Sequence, residues 1–141
     1  MRVALVYGTN RKKATVKVVK WLEETVKAEG HEITVGKPSE FDSLDFDLII
    51  IGSSVYADNV VGEIKDFVKE KSNILSGKKV ATFIVCKETK NREPHMDQIL
   101  CELAEDPINQ MFVEGYMVFE KDFGRQESII KDWIKEVLST L

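Results

Sequence analysis

Apolar residues in this chain alternate between short continuous runs and longer segments with helical spacing. The short runs are rich in β-branched residues, as is typical of strands covered on both faces. They predict three buried strands, VALVY at 3–7, FDLIIIGSS at 46–54 and VATFIVC at 80–86. Two further runs, HEITVGK at 31–37 and VEGYMVFE at 113–120, predict a second and a fifth strand.

Between these strands, apolar residues recur every three or four positions, which predicts helices. Three of the predicted helices are 15–29, 91–105 and 129–138. Another, second along the chain, is marked by Val60, Ile64, Phe67 and Val68. Gly30 and Pro107 lie just beyond the first and third of them, where helices commonly stop. Strands and helices therefore alternate along the whole chain.

This alternation predicts an α/β fold, a three-layer sandwich with a five-stranded parallel sheet and helices on both faces. In such sheets ligands bind beyond the carboxyl ends of the strands, where the strand order reverses. For the order 2-1-3-4-5, the loops after strands one and three meet at that point. The loops after strands one, three and four are thus the candidate binding segments.

Composition narrows the class of protein. The chain has 141 residues, 43% hydrophobic and 31% charged, which fits one folded domain over 1–141. A net charge of −4 argues against a nucleic-acid partner. The sequence also lacks an apolar run of the roughly 20 residues needed for a membrane span, and we expect a cytoplasmic protein. Cys86 and Cys101 have no CxxC or metal-type spacing, which favours two reduced thiols.

The loop after the first strand combines hydroxyl and basic side chains with the start of a helix. Helix N-termini favour phosphate through their free N–H groups and dipole. We therefore predict a phosphate site, with Thr15 as the helix N-cap. The alternative is a capped helix with solvated basic side chains. The candidate residues are Thr9, Asn10, Arg11, Lys12, Lys13, Ala14 and Thr15.

The loops after the third and fourth strands complete the candidate site. In the former, Tyr56 could stack on a flat ligand, a contact of about 0.5–1.5 kcal/mol beyond its buried area. Alternatively, the Tyr56 ring packs over the loop or the next helix and contacts no ligand. In the latter, backbone N–H groups could meet the carbonyl edge of a ring, the alternative being a solvated loop. The candidates are Ser53, Ser54, Val55, Tyr56, Ala57, Asp58, Cys86, Lys87, Glu88 and Thr89.

Several kinds of chemistry are not supported by the sequence. With only His31 and His95, and no Ser/His/Asp or Cys/His set, histidine acid–base catalysis is not expected. We expect His95 at the surface and Met96 in the core. A phosphoacceptor receiver would need carboxylates after strand one and an aspartate ending strand three, but those positions read GTN and GSS.

Together these loops resemble the flavodoxin family. The relevant residues are Tyr7-Gly8-Thr9 through Thr15, and Gly52-Ser53-Ser54-Val55-Tyr56-Ala57-Asp58. The chain looks most like the short flavodoxin-domain proteins that include bacterial protoporphyrinogen dehydrogenases. The resemblance implies non-covalent FMN and electron exchange with a redox partner protein or a small donor or acceptor.

Two departures from the family pattern leave alternatives open. The first loop is one residue longer than usual and has Lys13 or Ala14 where a glycine is expected, and Ala57 replaces another common glycine. Glycine permits positive φ and close backbone approach. The chain could therefore be an electron carrier, a small flavin-dependent oxidoreductase, or a flavodoxin-fold module without flavin. The segment MVFEKDFGRQE lacks the basic insertion expected of the protoporphyrinogen dehydrogenases.

Overall fold

Parallel strands form the centre of the structure, a computed structural model that describes residues 1–9, 14–56, 58–86, 92–114 and 123–141. In these described ranges, five strands pair in parallel, and a two-residue strand, β4, pairs antiparallel with β3. The strands are β1 (Arg2–Gly8), β2 (Glu32–Gly36), β3 (Leu48–Tyr56), β4 (Asn59–Val60), β5 (Lys79–Cys86) and β6 (Asn109–Glu114).

Within the described residues, four α-helices cover the two faces of this sheet. They are α1 (Ala14–Ala28), α2 (Gly62–Leu75), α3 (Arg92–Leu100) and α4 (Glu127–Ser139), with short 3-10 helices at Pro38–Glu40 and Phe123–Gln126. Helices α1 and α4 pack on one face, and α2 and α3 on the other. The described part of the chain contains no helix with the length and apolar character needed to cross a bilayer.

The strand order is β2-β1-β3-β5-β6. Counting only the parallel strands, this is the predicted order 2-1-3-4-5, so the predicted fold class is confirmed. Strand β3 lies in the middle, and its apolar run is buried on both faces. Leu48 and Ile50 join the core under α1 and α4, whereas Ile49 and Ile51 join the core under α2 and α3. This two-sided burial explains why the run shows no polar alternation.

Some predicted boundaries were wrong. Val60 belongs to β4 and not to a helix, because the chain turns back on β3 before α2 begins. The fifth strand starts at Asn109, earlier than predicted, because its polar residues pair along the edge of the sheet. Residues 115–120 of that predicted strand lie outside the described part. Helix α3 ends at Leu100, although Leu103 still packs on the core from the following turn. Apolar spacing reports burial, which continues beyond the helical hydrogen bonds.

A glycine in the central strand makes room for an aromatic ring from its neighbour. Gly52 of β3 is the direct partner of Phe83 in β5. A β-carbon at Gly52 would lie 2.0 Å from the ring atom Cζ of Phe83, which is fully buried. The ring therefore covers the strand where a side chain is missing, directly before Ser53, the first residue of the second candidate segment.

We predict that Gly52→Ala lowers the free energy of unfolding by about 1–3 kcal/mol, because the new methyl group overpacks against the ring. Urea denaturation measures the effect. Gly77→Ala is the control, since a β-carbon there meets nothing within 4 Å. In a Phe83→Leu background the cost of Gly52→Ala should shrink. An unchanged cost would show that the ring is not its cause.

Candidate functional site

The strand ends that precede the candidate loops lie together at one edge of the sheet. Because β1, β3 and β5 are parallel, their carboxyl ends lie together, with Gly8 paired to Ser53 and Ser54 paired to Val85. Helix α1 begins at Ala14, shortly after β1 ends. The strand ends that precede the three predicted loops are thus adjacent, and a helix N-terminus lies at the same edge.

The first loop is described only at its two ends. Thr9 is half-buried, while Ala14 and Thr15 are each 1% exposed. The prediction that Thr15 caps helix α1 was wrong: the helix already includes Ala14, so Thr15 lies buried within its first turn. The predicted phosphate contacts of Asn10, Arg11, Lys12 and Lys13 fall on residues 10–13, outside the described part.

Helix α2 approaches this edge very closely at Gly8. A β-carbon at Gly8 would lie 2.8 Å from Ile64 Cγ1 and 3.3 Å from the Glu63 carboxylate oxygen Oε1. Glycine at the end of β1 therefore lets the first turn of α2 pack against the strand. The same approach places the Glu63 carboxylate beside the beginning of the first loop.

The two serines at the end of β3 are both buried. The Ser53 hydroxyl donates to the Ser54 carbonyl oxygen at 2.7 Å, and accepts the Val61 N–H at 3.0 Å. Ser53 is fully buried and Ser54 is 7% exposed. Ser53 thus fixes the backbone just before α2, a structural use of a side chain that the sequence suggested as a ligand contact.

Tyr56 ends β3 and is half-exposed. Strand β3 continues into a tight hairpin in which Val55 pairs with Val60 and Tyr56 with Asn59. Val55 packs against the core under α2 and α3, whereas the Tyr56 side chain is 51% exposed. The Tyr56 side chain is therefore partly exposed at the carboxyl edge of the sheet. Ala57 lies outside the described part.

The turn residue Asp58 has a φ of +63°, the left-handed region that Asp tolerates better than most residues. Two side chains of α3 reach it. Gln98 Nε2 donates to the Asp58 carbonyl oxygen at 2.8 Å, and its Oε1 accepts the Val60 N–H at 2.9 Å. His95 Nε2 lies 3.8 Å from Asp58 Oδ1. Gln98 could not be predicted from the sequence, because its contacts depend on how α3 packs against the hairpin.

The third loop begins at a buried thiol. Cys86 is 2% exposed, and this burial raises the pKa of its thiol. The Glu114 carboxylate raises the pKa further, whereas the positive charge of Arg92 lowers it. Lys87, Glu88 and Thr89 lie outside the described part. His95, expected at the surface, is instead 8% exposed because the start of α3 packs against the hairpin, while Met96 lies in the core as predicted.

The described residues at this edge carry groups that could contact a ligand. They offer a half-exposed aromatic side chain and closely spaced strand ends beside a helix N-terminus. Among the described residues, no group of three or more His, Cys, Asp or Glu side chains could hold a metal ion.

Comparison with known proteins identifies the family. The flavodoxin domain family matches residues 5–121, most of the chain and all three candidate loops. The chain belongs to the flavodoxin domain family. No curated protein sequence matches it.

Solved structures share the fold at low sequence identity. A Fusobacterium nucleatum flavodoxin bound to flavin mononucleotide has a TM-score of 0.69 and 14% identity, covering 99% of this chain and 98% of its own. Oxidised flavodoxin 1 from Bacillus cereus has a TM-score of 0.68 and 16% identity, and the match covers 96% of this chain and 98% of that flavodoxin. Rubredoxin oxygen:oxidoreductase from Desulfovibrio gigas has a TM-score of 0.68 and 15% identity. The match covers 97% of this chain but only 37% of that protein. The chain thus spans about a third of that enzyme.

We predict that Ser53→Ala lowers the free energy of unfolding by about 1–3 kcal/mol, because the Val61 N–H loses its partner in a buried position. Thermal or urea denaturation measures it. Ser139→Ala is the matched control: that hydroxyl also donates to a backbone carbonyl, but at an exposed site, so its effect should stay within about 0.5 kcal/mol. Equal effects of the two substitutions would contradict a structural role for Ser53.

Proposed function

We propose that this flavodoxin-domain protein binds FMN at the carboxyl edge of its sheet and transfers electrons. The observation that carries the proposal is the half-exposed Tyr56 at the end of the central strand, at the sheet edge where β1 also ends and from which the chain continues to α1. Family membership supports the same assignment.

Each loop would have a separate part in holding the cofactor. The phosphate would bind at residues 9–15, where the N-terminus of α1 favours an anion. The ring would bind at residues 53–58, with Tyr56 as the aromatic contact, and the backbone of residues 86–89 would meet its carbonyl edge. Bound FMN supplies one- or two-electron chemistry, and the chain supplies position and electrostatics.

The electron partner is a redox protein or a small donor or acceptor. Two free cysteines, one of them exposed, fit a reducing compartment, which supports a cytoplasmic location for the protein. Protoporphyrinogen dehydrogenase activity would need a substrate surface besides the flavin site. The sequence after Tyr116 lacks the basic insertion expected for it, so the proposal is limited to electron transfer.

FMN binding is tested by incubating the purified protein with FMN, desalting it and recording its visible spectrum. We expect the desalted protein to keep absorption bands at about 375 and 450 nm, which belong to the oxidised cofactor. Tyr56→Ala should weaken binding about 2- to 10-fold through the lost aromatic contact, while Tyr56→Phe, which keeps the ring, should bind like the wild type. A wild-type protein that elutes without flavin would instead support the alternative of a module that holds none.

We also predict that Glu63→Gln tightens FMN binding about 2- to 5-fold at low salt. The carboxylate beside Gly8 repels a phosphate bound at the first loop, and salt screens this repulsion. Fluorescence titration of FMN at low and high ionic strength measures it. Glu70→Gln, two turns further along α2, is the control. A gain that persists unchanged in high salt would show that charge repulsion is not responsible.

A further inference from the structure

One amide side chain of helix α3 binds backbone groups on the turn between β3 and β4. The two bonds of Gln98, to the Asp58 carbonyl and the Val60 N–H, lie on either side of Asn59. A glutamine amide is a donor and an acceptor in one planar group, so it can meet a backbone carbonyl and a backbone N–H together. The α3 side chain thus pairs with the hairpin much as another strand would.

This contact holds backbone that would otherwise be costly to maintain. Asp58 has positive φ, and a two-residue strand has few hydrogen bonds of its own. On the other side, the Ser53 hydroxyl accepts the N–H of Val61. Gln98 of α3 therefore binds two backbone groups of the segment 58–61, and Ser53 of β3 binds a third.

The held segment determines where the aromatic side chain lies. Tyr56 is paired with Asn59 across the hairpin, and Asn59 lies between the two groups that Gln98 binds. A displacement of 58–60 would consequently move the end of β3 and its half-exposed ring. Gln98 itself is half-buried and belongs to none of the three candidate loops.

We propose that Gln98 is a positioning residue: it holds the β3–β4 turn so that Tyr56 and the turn backbone are ordered for a bound flavin ring. This inference rests on the proposed function for the identity of the ligand, whereas the holding of the turn is a property of the protein alone.

The test uses Gln98→Met, which keeps the length of the side chain but neither hydrogen bond, and Gln98→Glu, which keeps an acceptor for the Val60 N–H. Gln110→Met is the control, the same substitution at an exposed glutamine on β6. Backbone hydrogen exchange without flavin reports the turn. We expect Val60 to exchange about 5- to 10-fold faster in Gln98→Met, as for the loss of one net hydrogen bond, with a smaller change in Gln98→Glu.

The second measurement uses FMN. In Gln98→Met, the affinity for FMN should fall about 3- to 10-fold and the reduction potential of bound FMN should shift, with Gln110→Met unchanged in both. Unchanged Val60 exchange would overturn the holding of the turn. Faster exchange with unaltered affinity and potential would overturn its link to the ligand. Failure of the wild type to bind FMN would overturn the proposed function, yet the exchange result would still decide whether Gln98 holds the turn.

Discussion

Parallel pairing of β3 with both β1 and β5 is the constraint on which the rest of the structure depends. It requires β3 to be buried on both faces, which the run from Leu48 to Ile51 satisfies. It also places three strand ends at one edge, where the chain must leave the sheet. Polar and aromatic residues can lie there without disturbing the core, so the apolar interior and the candidate site follow from the same arrangement.

Much of this could be predicted from the sequence, because apolar periodicity and strand–helix alternation are local signals. They gave the fold class, the strand order and the edge that carries the candidate site. The boundaries depend on longer-range contacts and were less accessible. Val60 has the spacing of a helical residue, yet pairing with Val55 places it in a strand. Asn109 and Gln110 are polar, yet pairing with β5 makes them part of β6.

Within the candidate site, the sequence predicted which residues lie at the ligand edge better than it predicted what each does. Tyr56 is half-exposed as a ligand contact requires, but Ser53 uses its hydroxyl within the protein. His95 is polar and was expected at the surface, but it is buried beside the hairpin. A polar side chain near a strand end can contact a ligand or satisfy nearby backbone, and residue type alone does not separate these uses.

Polar side chains are needed to pair nearby backbone groups at this edge of the sheet for a physical reason. A turn that changes direction after a parallel strand leaves N–H and C=O groups without strand partners, and buried groups of this kind must be paired. Here the N–H groups of the buried residues Val60 and Val61 are paired by Gln98 and Ser53, and Gln98 also donates to the exposed Asp58 carbonyl. Side chains from α3 and β3 thereby replace a neighbouring strand, and the turn can be ordered while Tyr56 stays accessible. An ordered backbone beside an exposed ring lowers the entropy lost when a flat ligand binds.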